Sequence, residues 1–452
     1  MHYYSTNLKA EKVSFKQALI KGLAEDKGLY MPEVMPKISL AEIEAMREMT
    51  YPQIAFAIAS KFLANDLPAD ALKALIDDAY NYSIPLEHVT DRQYVMRLDQ
   101  GPTASFKDFA ARLMGRWMQY YLTLDNRRLT ILTATSGDTG SAIANAFYGL
   151  DNIDVMVLFP ISEVTARQRK QMTTLGKNVK IVSIEGKFDD CQALVKKAFS
   201  DPQLAHLQLS SANSINIGRL IPQCMYYFYA YSRLTEKAGE EVVFSVPSGN
   251  FGDMMGGMIA LHMGLPIKKF VIATNANDEF PKYMATGEYK VISPSRNCIS
   301  SAMNVGHPSN VSRLISLYGG VMDENGIIHK SPDRAKMHKD IFAVSISDKE
   351  TEETICRVWN DYKVLLEPHG AVGWRGLEAY LKANPADASE LCVSLETAHP
   401  AKFPEKLIEL LNIDPPLPPS LENLESKPEQ YETMDNDYDA FVKVLKHHYE
   451  GK

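Results

Sequence analysis

Several features are scarce in this chain, and each scarcity excludes a class of protein. Its five cysteines are widely spaced, with no CxxC pair and no Cys/His ligand spacing, so neither a disulfide framework nor a metal site is expected. No segment approaches the roughly 20 apolar residues of a membrane helix, and the first residues lack the pattern of a signal peptide. Basic residues are outnumbered 48 to 56, which disfavours nucleic acid and anionic membranes as partners. We expect a cytoplasmic protein.

The remaining composition is that of a globular protein, with 45% hydrophobic and 23% charged residues. A chain of 452 residues exceeds one compact core, so two or three domains are predicted. Residues 1–94 carry apolar side chains at helical spacing, as in YPQIAFAIASKFL, and are predicted to be mainly helical.

Beyond residue 95 the pattern changes to short apolar runs that alternate with amphipathic stretches, for example RLTILTA followed by a helix from about 139. This alternation predicts parallel strands with crossover helices. The fold class is therefore α/β, with two open, mostly parallel sheets flanked by helices rather than one very wide sheet. A barrel also alternates in this way and stays open at this point. The polar, proline-rich segment 415–437 is interpreted as an extended surface strap before a last helix.

Lys107 is the most informative residue, because GPTASFKDFA places it between a turn-forming Gly-Pro pair and an amphipathic helix. An amine that is held and partly desolvated at a helix entrance can stay neutral and attack a carbonyl, as Schiff-base lysines do. Taken alone, a surface lysine beside an apolar helix face is the commoner explanation.

The segment SGNFGD at 248–253 follows the apolar run EVVFSVP and precedes an apolar helix. Its two glycines let backbone amides turn inward, and a helix N-terminus favours an anion. The position of this segment after a predicted strand suits a ligand site, since open α/β sheets bind ligands at the carboxyl ends of their strands. By itself such a segment is more often a simple tight turn. Together with Lys107, a phosphate cradle and an aldehyde-binding amine indicate pyridoxal phosphate as the cofactor.

A similar turn, TSGDTGSA at 135–142, follows RLTILTA. Ser136, Thr139 and the local amides are candidates to bind a carboxylate, and an ordinary helix N-cap is the alternative. In SANSINIGR, the planar guanidinium of Arg219 suits a phosphate, although a solvated first-turn charge fits equally well. If the turns at 135–142 and 248–253 lie on two sheets, their anion sites would face each other across a cleft.

Three further segments are unusual in composition. Thr397 follows the predicted strand LCVSLE, so its hydroxyl is placed to meet a cofactor edge at the end of the sheet. EPHGAVG and ETAHPAKF each place a histidine beside proline, and we interpret both histidines as structural hydrogen-bonding residues. The basic cluster RQRKQM at 167–172 is interpreted as a solvated helix face.

Taken in order, these motifs resemble the threonine synthase family of pyridoxal-phosphate enzymes, which has the tryptophan-synthase-β-like fold (fold type II). The resemblance runs essentially end to end, and nine motifs in family order are specific where single motifs are not. They are YYST…VSFKQALIKGLAEDKGLYMPE, GPTASFKDFA, TSGDTGSA, NSINIGRLIPQ, VPSGNFGD, TNANDEF, AMNVGHPSN, EPHGAVG and ETAHPAKF.

The resemblance implies a role for each matching site residue. Lys107 holds the cofactor aldehyde and is the catalytic base, and Thr397 faces the pyridine nitrogen. The loop around the cofactor phosphate consists of Gly249, Asn250, Phe251, Gly252 and Asp253. The substrate-binding residues are Ser136, Gly137, Asp138 and Thr139 around the α-carboxylate, and Asn213, Ser214 and Arg219 near the substrate phosphate.

Two segments depart from the family pattern. The chain has Glu367-Pro368-His369-Gly370 where the family often has Asp-Pro-His-Thr, and small residues at Ala104-Ser105 where the family has bulkier ones. Both departures adjoin matched positions, so they bear on pocket shape and substrate preference more than on chemistry.

The implied domains are a mainly helical N-terminal domain (1–94), a large cofactor-binding domain (95–110 and 225–452) and a small domain with the carboxylate loop (111–224). The implied reaction converts O-phospho-L-homoserine and water to L-threonine and phosphate, the last step of threonine biosynthesis. The protein is expected to be a monomer or a homodimer.

Three alternatives stay open. A serine/threonine dehydratase shares the fold, but such enzymes lack a segment like 1–94 and usually carry Asn where this chain has Asp138. A phospho-lyase of the same fold would release phosphate without adding water. A non-catalytic binding module would usually have lost the lysine, and Lys107 is present.

Overall fold

A computed structural model describes residues 1–135 and 137–450, apart from the side chain of Asp189. Its strands are β1 (His2–Ser5), β2 (Val13–Ser14), β3 (Tyr30–Pro32), β4 (Leu86–Thr90), β5 (Gln93–Arg97), β6 (Leu129–Ala134), β7 (Ile153–Pro160), β8 (Val179–Glu185), β9 (Leu209–Ser210), β10 (Val242–Pro247), β11 (Ile267–Thr274), β12 (Val321–Met322), β13 (Ile328–Lys330), β14 (Ile341–Ser345), β15 (Leu391–Glu396) and β16 (Glu432–Asp435).

The α-helices are α1 (Phe15–Lys21), α2 (Leu40–Ala45), α3 (Tyr51–Leu63), α4 (Ala69–Ala79), α5 (Lys107–Leu124), α6 (Asp138–Phe147), α7 (Ala166–Thr173), α8 (Phe188–Phe199), α9 (Ile221–Leu234), α10 (Gly252–Met263), α11 (Glu279–Thr286), α12 (Val311–Leu317), α13 (Arg334–Asp340), α14 (Asp348–Tyr362), α15 (Pro368–Ala383), α16 (Pro404–Leu411) and α17 (Tyr438–Tyr449). Among the described residues, no helix combines the length and the apolar character needed to cross a bilayer.

The larger sheet has six strands in the order β14-β11-β10-β15-β5-β4. Neighbours are parallel except β4 and β5, which form an antiparallel edge. The central strands β10 and β15 are buried along their whole length, as expected where a sheet is covered on both faces. Helix α15 packs against β10, β11 and β15. The carboxyl ends of β10 and β15 lead directly into SGNFGD and into Thr397.

The smaller sheet has five parallel strands in the order β16-β8-β7-β6-β9. Its strand β6 leads into the turn TSGDTGSA, and α6 begins at the end of that turn. The predicted α/β class with two open, mostly parallel sheets is confirmed, and the barrel alternative is excluded.

The C-terminal segment corrects the predicted domain division. Residues 225–452 are predicted to lie in the large domain, but β16 pairs with β8 in the smaller sheet. Helix α17 packs on the core of that sheet through Phe441, Leu445 and Tyr449. The predicted surface strap thus ends in a strand. The four residues of β16, ETMD, are mostly exposed and show no apolar alternation, so periodicity could not reveal them.

The N-terminal region is less uniformly helical than predicted. Helices α1 to α4 are present, but β1, β2 and β3 form a three-stranded antiparallel sheet. Strands β4 and β5 join the larger sheet, so the predicted border at residue 94 falls inside β5. Strands of two to five residues are too short for their periodicity to be read from a sequence.

Candidate active site

The turn before α5 fixes the position of Lys107. The Asp108 carboxylate accepts hydrogen bonds from the Thr103 amide (2.8 Å) and the Thr103 hydroxyl (2.6 Å), which closes the turn. Ala104 adopts a left-handed conformation with φ of 53°. A β-carbon at Gly101 would lie 2.4 Å from Oδ2 of Asp108, so only glycine fits there. Lys107 is consequently the first residue of a helix whose entrance is rigidly built.

The Lys107 amine lies in a mostly enclosed site. Burial lowers the pKa of Lys107; Asp138 opposes this shift, while the positive charges of Lys402 and Arg219 add to it. Nζ lies 4.6 Å from the ring centroid of Phe106. Among the residues that the structure describes, no hydrogen bond contributes to its pKa shift, and the Phe106 ring is the contact found for Nζ. An amine in this state is suited to nucleophilic and base chemistry.

Thr397 lies beside this turn. Its backbone carbonyl accepts a hydrogen bond of 2.9 Å from the Phe106 amide, and the adjacent Ala398 forms a bridge with Ser105. Thr397 is buried at the carboxyl end of β15. The structure therefore brings the predicted pyridine-facing residue next to the turn that carries Lys107.

The glycine turn 249–253 joins β10 to α10. A β-carbon at Gly249 would lie 2.8 Å from Cα of Met303 and 2.9 Å from the Ala302 carbonyl oxygen, so the backbones approach closely here. Phe251 takes a left-handed conformation, with φ of 61°, and its ring packs edge-on against Phe280 at 5.0 Å. Helix α10 begins at Gly252. The turn thus leads into the N-terminus of a 12-residue helix, where backbone amides favour an anion.

Two side chains of this turn are committed to the scaffold. Oδ1 of Asp253 accepts hydrogen bonds from the hydroxyls of Tyr226 (2.5 Å) and Tyr227 (2.9 Å) on α9. Burial raises the pKa of Asp253 to about 6, against the opposing effect of the two hydroxyls and of Lys107. Asn250 is exposed, and its Oδ1 accepts hydrogen bonds from the Ser309 amide and hydroxyl.

The second turn, after β6, is organised by Thr135. Its hydroxyl accepts hydrogen bonds from the amides of Gly137 (2.9 Å) and Gly140 (2.8 Å). Gly137 has φ of 138°, and a β-carbon there would meet the Gln168 side chain at 2.6 Å. Thr139 is half-buried in the first turn of α6. Ser136, also predicted here, lies outside the described residues.

Lys402 is a buried cation that the sequence analysis missed. Its Nζ pairs with Oδ1 of Asp138 at 2.6 Å and donates to the Thr103 carbonyl at 2.9 Å. Burial raises the pKa of Asp138, but Lys402 and Lys107 outweigh it, so the net shift is downward. The pair links the small-domain turn to the segment around Lys107. A lysine inside the apolar run AHPAKF was the available signal.

The predicted solvated face of RQRKQM is wrong for its two glutamines. Gln168 and Gln171 are buried. The Gln168 amide donates to Asp138 at 2.9 Å, and the Gln171 amide donates to the Thr103 carbonyl at 3.0 Å. Polar residues at interior positions of a helix resemble surface residues in sequence, because their partners come from distant segments.

The segment around residues 213–219 lies between the two turns. Oδ1 of Asn213 accepts a hydrogen bond from the Thr133 hydroxyl at 2.5 Å, and Cβ of Ser214 lies 3.4 Å from where a β-carbon of Gly252 would be. Arg219 is buried and donates to the Ala212 carbonyl at 2.6 Å. Burial lowers the pKa of Arg219 to about 10, and its Nε has no partner among the described residues. A buried guanidinium with a free donor suits an anion.

A buried arginine missed from sequence, Arg313, supports this segment. It donates to the carbonyls of Ser214 (3.1 Å) and Ile215 (2.6 Å) and to Oδ1 of Asn310 (2.6 Å). The Asn310 amide in turn donates to the Asn250 carbonyl at 2.9 Å. Arg313 therefore holds the 213–219 segment against the glycine turn.

These residues fit pyridoxal phosphate. The cofactor needs an amine of lowered pKa, which Lys107 would supply, and an anion cradle, which the turn 249–253 would supply. The positive charge of Lys107 also acts to lower the pKa of Asp253, at the end of this turn. The fold and this site together define a pyridoxal-phosphate-dependent enzyme.

Comparison with protein families agrees with that class. The family described as pyridoxal-phosphate dependent enzyme matches residues 83–396. Two further family models flank it: threonine synthase N terminus matches residues 2–80, and threonine synthase, C-terminal, matches residues 370–445. Pyridoxal phosphate is therefore the cofactor of this enzyme.

Similarity to individual proteins shows which family of pyridoxal-phosphate-dependent enzymes the chain belongs to. The threonine synthase of Haemophilus influenzae is 40% identical, covering 97% of this chain and 98% of its own. That of Escherichia coli strain K12 is 37% identical over 99% of this chain and all of its own. The solved pyridoxal-phosphate-bound threonine synthase of Brucella melitensis superposes with a TM-score of 0.92, at 35% identity and full coverage of both chains. The chain belongs to the threonine synthase family.

Proposed function

We propose that this enzyme converts O-phospho-L-homoserine and water to L-threonine and phosphate, with Lys107 as the catalytic residue. The observation that carries the proposal is the Lys107 amine of lowered pKa, set between the turns at 137–139 and 249–253. Full-length similarity to proteins named threonine synthase supports the choice of reaction.

The lysine performs the proton transfers. Bound pyridoxal phosphate supplies an electrophilic carbon and an electron sink for the charge left beside the substrate amine. Nζ of Lys107 takes the α proton of the substrate and, after releasing it, a β proton, and phosphate leaves the γ carbon. One proton returns to the γ carbon, which becomes the methyl group. Water then adds its hydroxyl at the β carbon and gives its proton to the released phosphate, and a last proton returns to the α carbon. A lowered amine pKa favours this, because the base must be neutral near the working pH.

The remaining site residues bind and orient. We assign the backbone of Gly249 to Asp253 to the cofactor phosphate and Thr397 to the pyridine nitrogen. Gly137, Asp138 and Thr139, together with Ser136, are assigned to the substrate α-carboxylate. Because Lys402 occupies the Asp138 carboxylate and the Gly137 amide donates to Thr135, the amides of Asp138 and Thr139 are the donors that we assign to the substrate.

Asn213, Ser214 and Arg219 are assigned to the substrate phosphate. Arg219 has a free Nε, and the segment adjoins the glycine turn. A site that releases phosphate and then admits one water must exclude bulk solvent, so we propose that the small domain closes over the substrate. We place the enzyme in the cytoplasm as a monomer or homodimer, which sedimentation analysis would distinguish.

The first test concerns the lysine. Purified enzyme with cofactor should show an absorption band at the edge of the visible range that borohydride abolishes. Lys107→Ala should lose both the band and threonine formation, while Lys12→Ala, an exposed lysine paired with Glu33, should keep both. Full turnover by Lys107→Ala would refute the assignment.

The second test concerns the product. Phosphate release from O-phospho-L-homoserine should be matched mole for mole by threonine. Release matched by 2-oxobutyrate would indicate a phospho-lyase. Rapid deamination of threonine or serine without turnover of O-phospho-L-homoserine would indicate a dehydratase.

A further inference from the structure

A buried Glu–His pair lies at the start of α15, outside the residues assigned so far. Glu367 and His369 are almost fully buried. Oε2 of Glu367 lies 2.5 Å from Nδ1 of His369, and it also accepts from the His369 amide at 2.9 Å. Oε1 accepts from the Gly370 amide at 3.0 Å. The carboxylate is thus fixed by its own helix turn, and it fixes the imidazole in turn.

The other side of the imidazole points to a backbone amide of a distant turn. The Ala302 amide donates a hydrogen bond of 3.0 Å to Nε2 of His369. An amide can only donate, so Nε2 carries the lone pair and the ring proton is on Nδ1, where it donates to Glu367. His369 is consequently a neutral, oriented acceptor for Ala302.

The turn held in this way packs directly on Gly249. The Ala302 carbonyl oxygen and Cα of Met303 lie 2.9 and 2.8 Å from the position that a β-carbon of Gly249 would occupy. On its other side the turn is held by Asn275, whose amide donates to the Ser300 hydroxyl at 3.1 Å. A displacement of the 300–303 turn would therefore alter the backbone of the glycine turn.

We propose that His369, oriented by Glu367, is a positioning residue that holds the 300–303 turn against Gly249 and so shapes the cradle for the cofactor phosphate. This rests on the proposed function, in which residues 249–253 bind that phosphate. In this role His369 acts through the Ala302 amide and not directly on the cofactor or the substrate. Its effect is transmitted through one backbone hydrogen bond and one close backbone packing contact.

The test compares two ligands that differ only in the phosphate. Dissociation constants for pyridoxal phosphate and for pyridoxal are measured with full-length apoenzyme by absorption titration. His369→Leu removes the acceptor for Ala302 and should weaken binding of pyridoxal phosphate roughly tenfold, with binding of pyridoxal changed less than about twofold. His369→Gln can again offer an oxygen to the amide and should recover most of the loss.

Matched variants complete the experiment. His262→Leu alters a half-buried histidine at the far end of α10 and should change neither constant. Glu367→Gln should give a smaller loss in the same direction as His369→Leu. If His369→Leu does not fold, the proposal is tested with Glu367→Gln and His369→Gln. The measured quantity is again the ratio of the dissociation constants for pyridoxal phosphate and pyridoxal.

The outcomes separate the two proposals. Selective loss for pyridoxal phosphate supports the positioning role. Equal loss for both ligands, or no loss, overturns it while leaving the phosphate cradle intact. If the wild-type enzyme binds the two ligands equally well, the phosphate assignment of residues 249–253 fails, and the role of His369 fails with it.

Discussion

Replacing Lys402 with methionine tests the buried contact that joins the two sheets at the site. Methionine keeps most of the side-chain volume and removes the charge. The substitution abolishes the 2.6 Å pair with Asp138 and the hydrogen bond to the Thr103 carbonyl. Among the described residues, the side-chain partner that Asp138 keeps on this oxygen is the Gln168 amide, at 2.9 Å.

The expected cost follows from the burial of both groups. Lys402 and Asp138 are 0% and 4% exposed, so solvent cannot take over the role of the missing partner. Removing one member of such a pair leaves an uncompensated charge in the interior, and typically destabilises a protein by about 3–5 kcal/mol. Asp138→Asn should lower the free energy of unfolding by a similar amount, because it leaves the buried ammonium group of Lys402 without its carboxylate. The double variant should be more stable than either single variant.

Urea unfolding followed by circular dichroism, with saturating cofactor at pH 7, measures these free energies. The three variants and the wild-type enzyme form a double-mutant cycle, and we expect a coupling of about 2 kcal/mol or more. Lys16→Met, which breaks an exposed pair with Asp125, is the control and should cost about 0–1 kcal/mol. A cost below about 1 kcal/mol for Lys402→Met, or additive single effects, would refute the reasoning.

Three further substitutions have defined outcomes. Gly370→Ala places a β-carbon 1.5 Å from Oε2 of Glu396 and should lower the free energy of unfolding by about 1–3 kcal/mol. Adding Glu396→Ala removes the clashing oxygen and should recover part of that loss. Additive losses for the two substitutions in urea titrations would contradict the predicted clash. Gly249→Ala forces the glycine turn away from Met303 and should weaken binding of pyridoxal phosphate roughly tenfold or more in absorption titrations, so unchanged affinity would contradict the cradle. Within the part of the chain that the structure describes, the buried Glu279 carboxylate has no partner beyond its own backbone, and burial raises its pKa to about 8. The unfolded chain therefore ionises first as pH rises, and stability falls between about pH 4.5 and 8. Glu279→Gln should remove about 4–5 kcal/mol of that decline, and parallel stability–pH curves for the two proteins would contradict the assignment.

Much of the architecture could be predicted because it depends on local pattern. The buried strands VVFSVP and LTILTA are continuous apolar runs, and helices follow them at the expected places. Helix α6 begins at Asp138, where a helix from about residue 139 is predicted. Strands covered on both faces must be apolar throughout, so their signal does not depend on knowing their neighbours.

Other elements escaped prediction because their stability comes from distant partners. The exposed strand β16 exists by pairing with β8, about 250 residues earlier in the chain. The buried state of Gln168 depends on Asp138, and that of Lys402 on both Asp138 and Thr103. A polar residue is tolerated in the interior only when its partners are present, and a sequence does not state which segments meet.

The same division holds for the site. The amino-acid order already contains the reactive groups: one lysine at a helix entrance, two glycine turns after apolar strands, and a family in which that order of motifs occurs. Which of these groups remain available depends on the folded arrangement. It turned the Asp138 and Asp253 carboxylates to Lys402 and to two tyrosines, and placed the amine of Lys107 beside the Phe106 ring. Hydrogen bonding and desolvation depend on contacts in space, and these are formed only when the chain is folded.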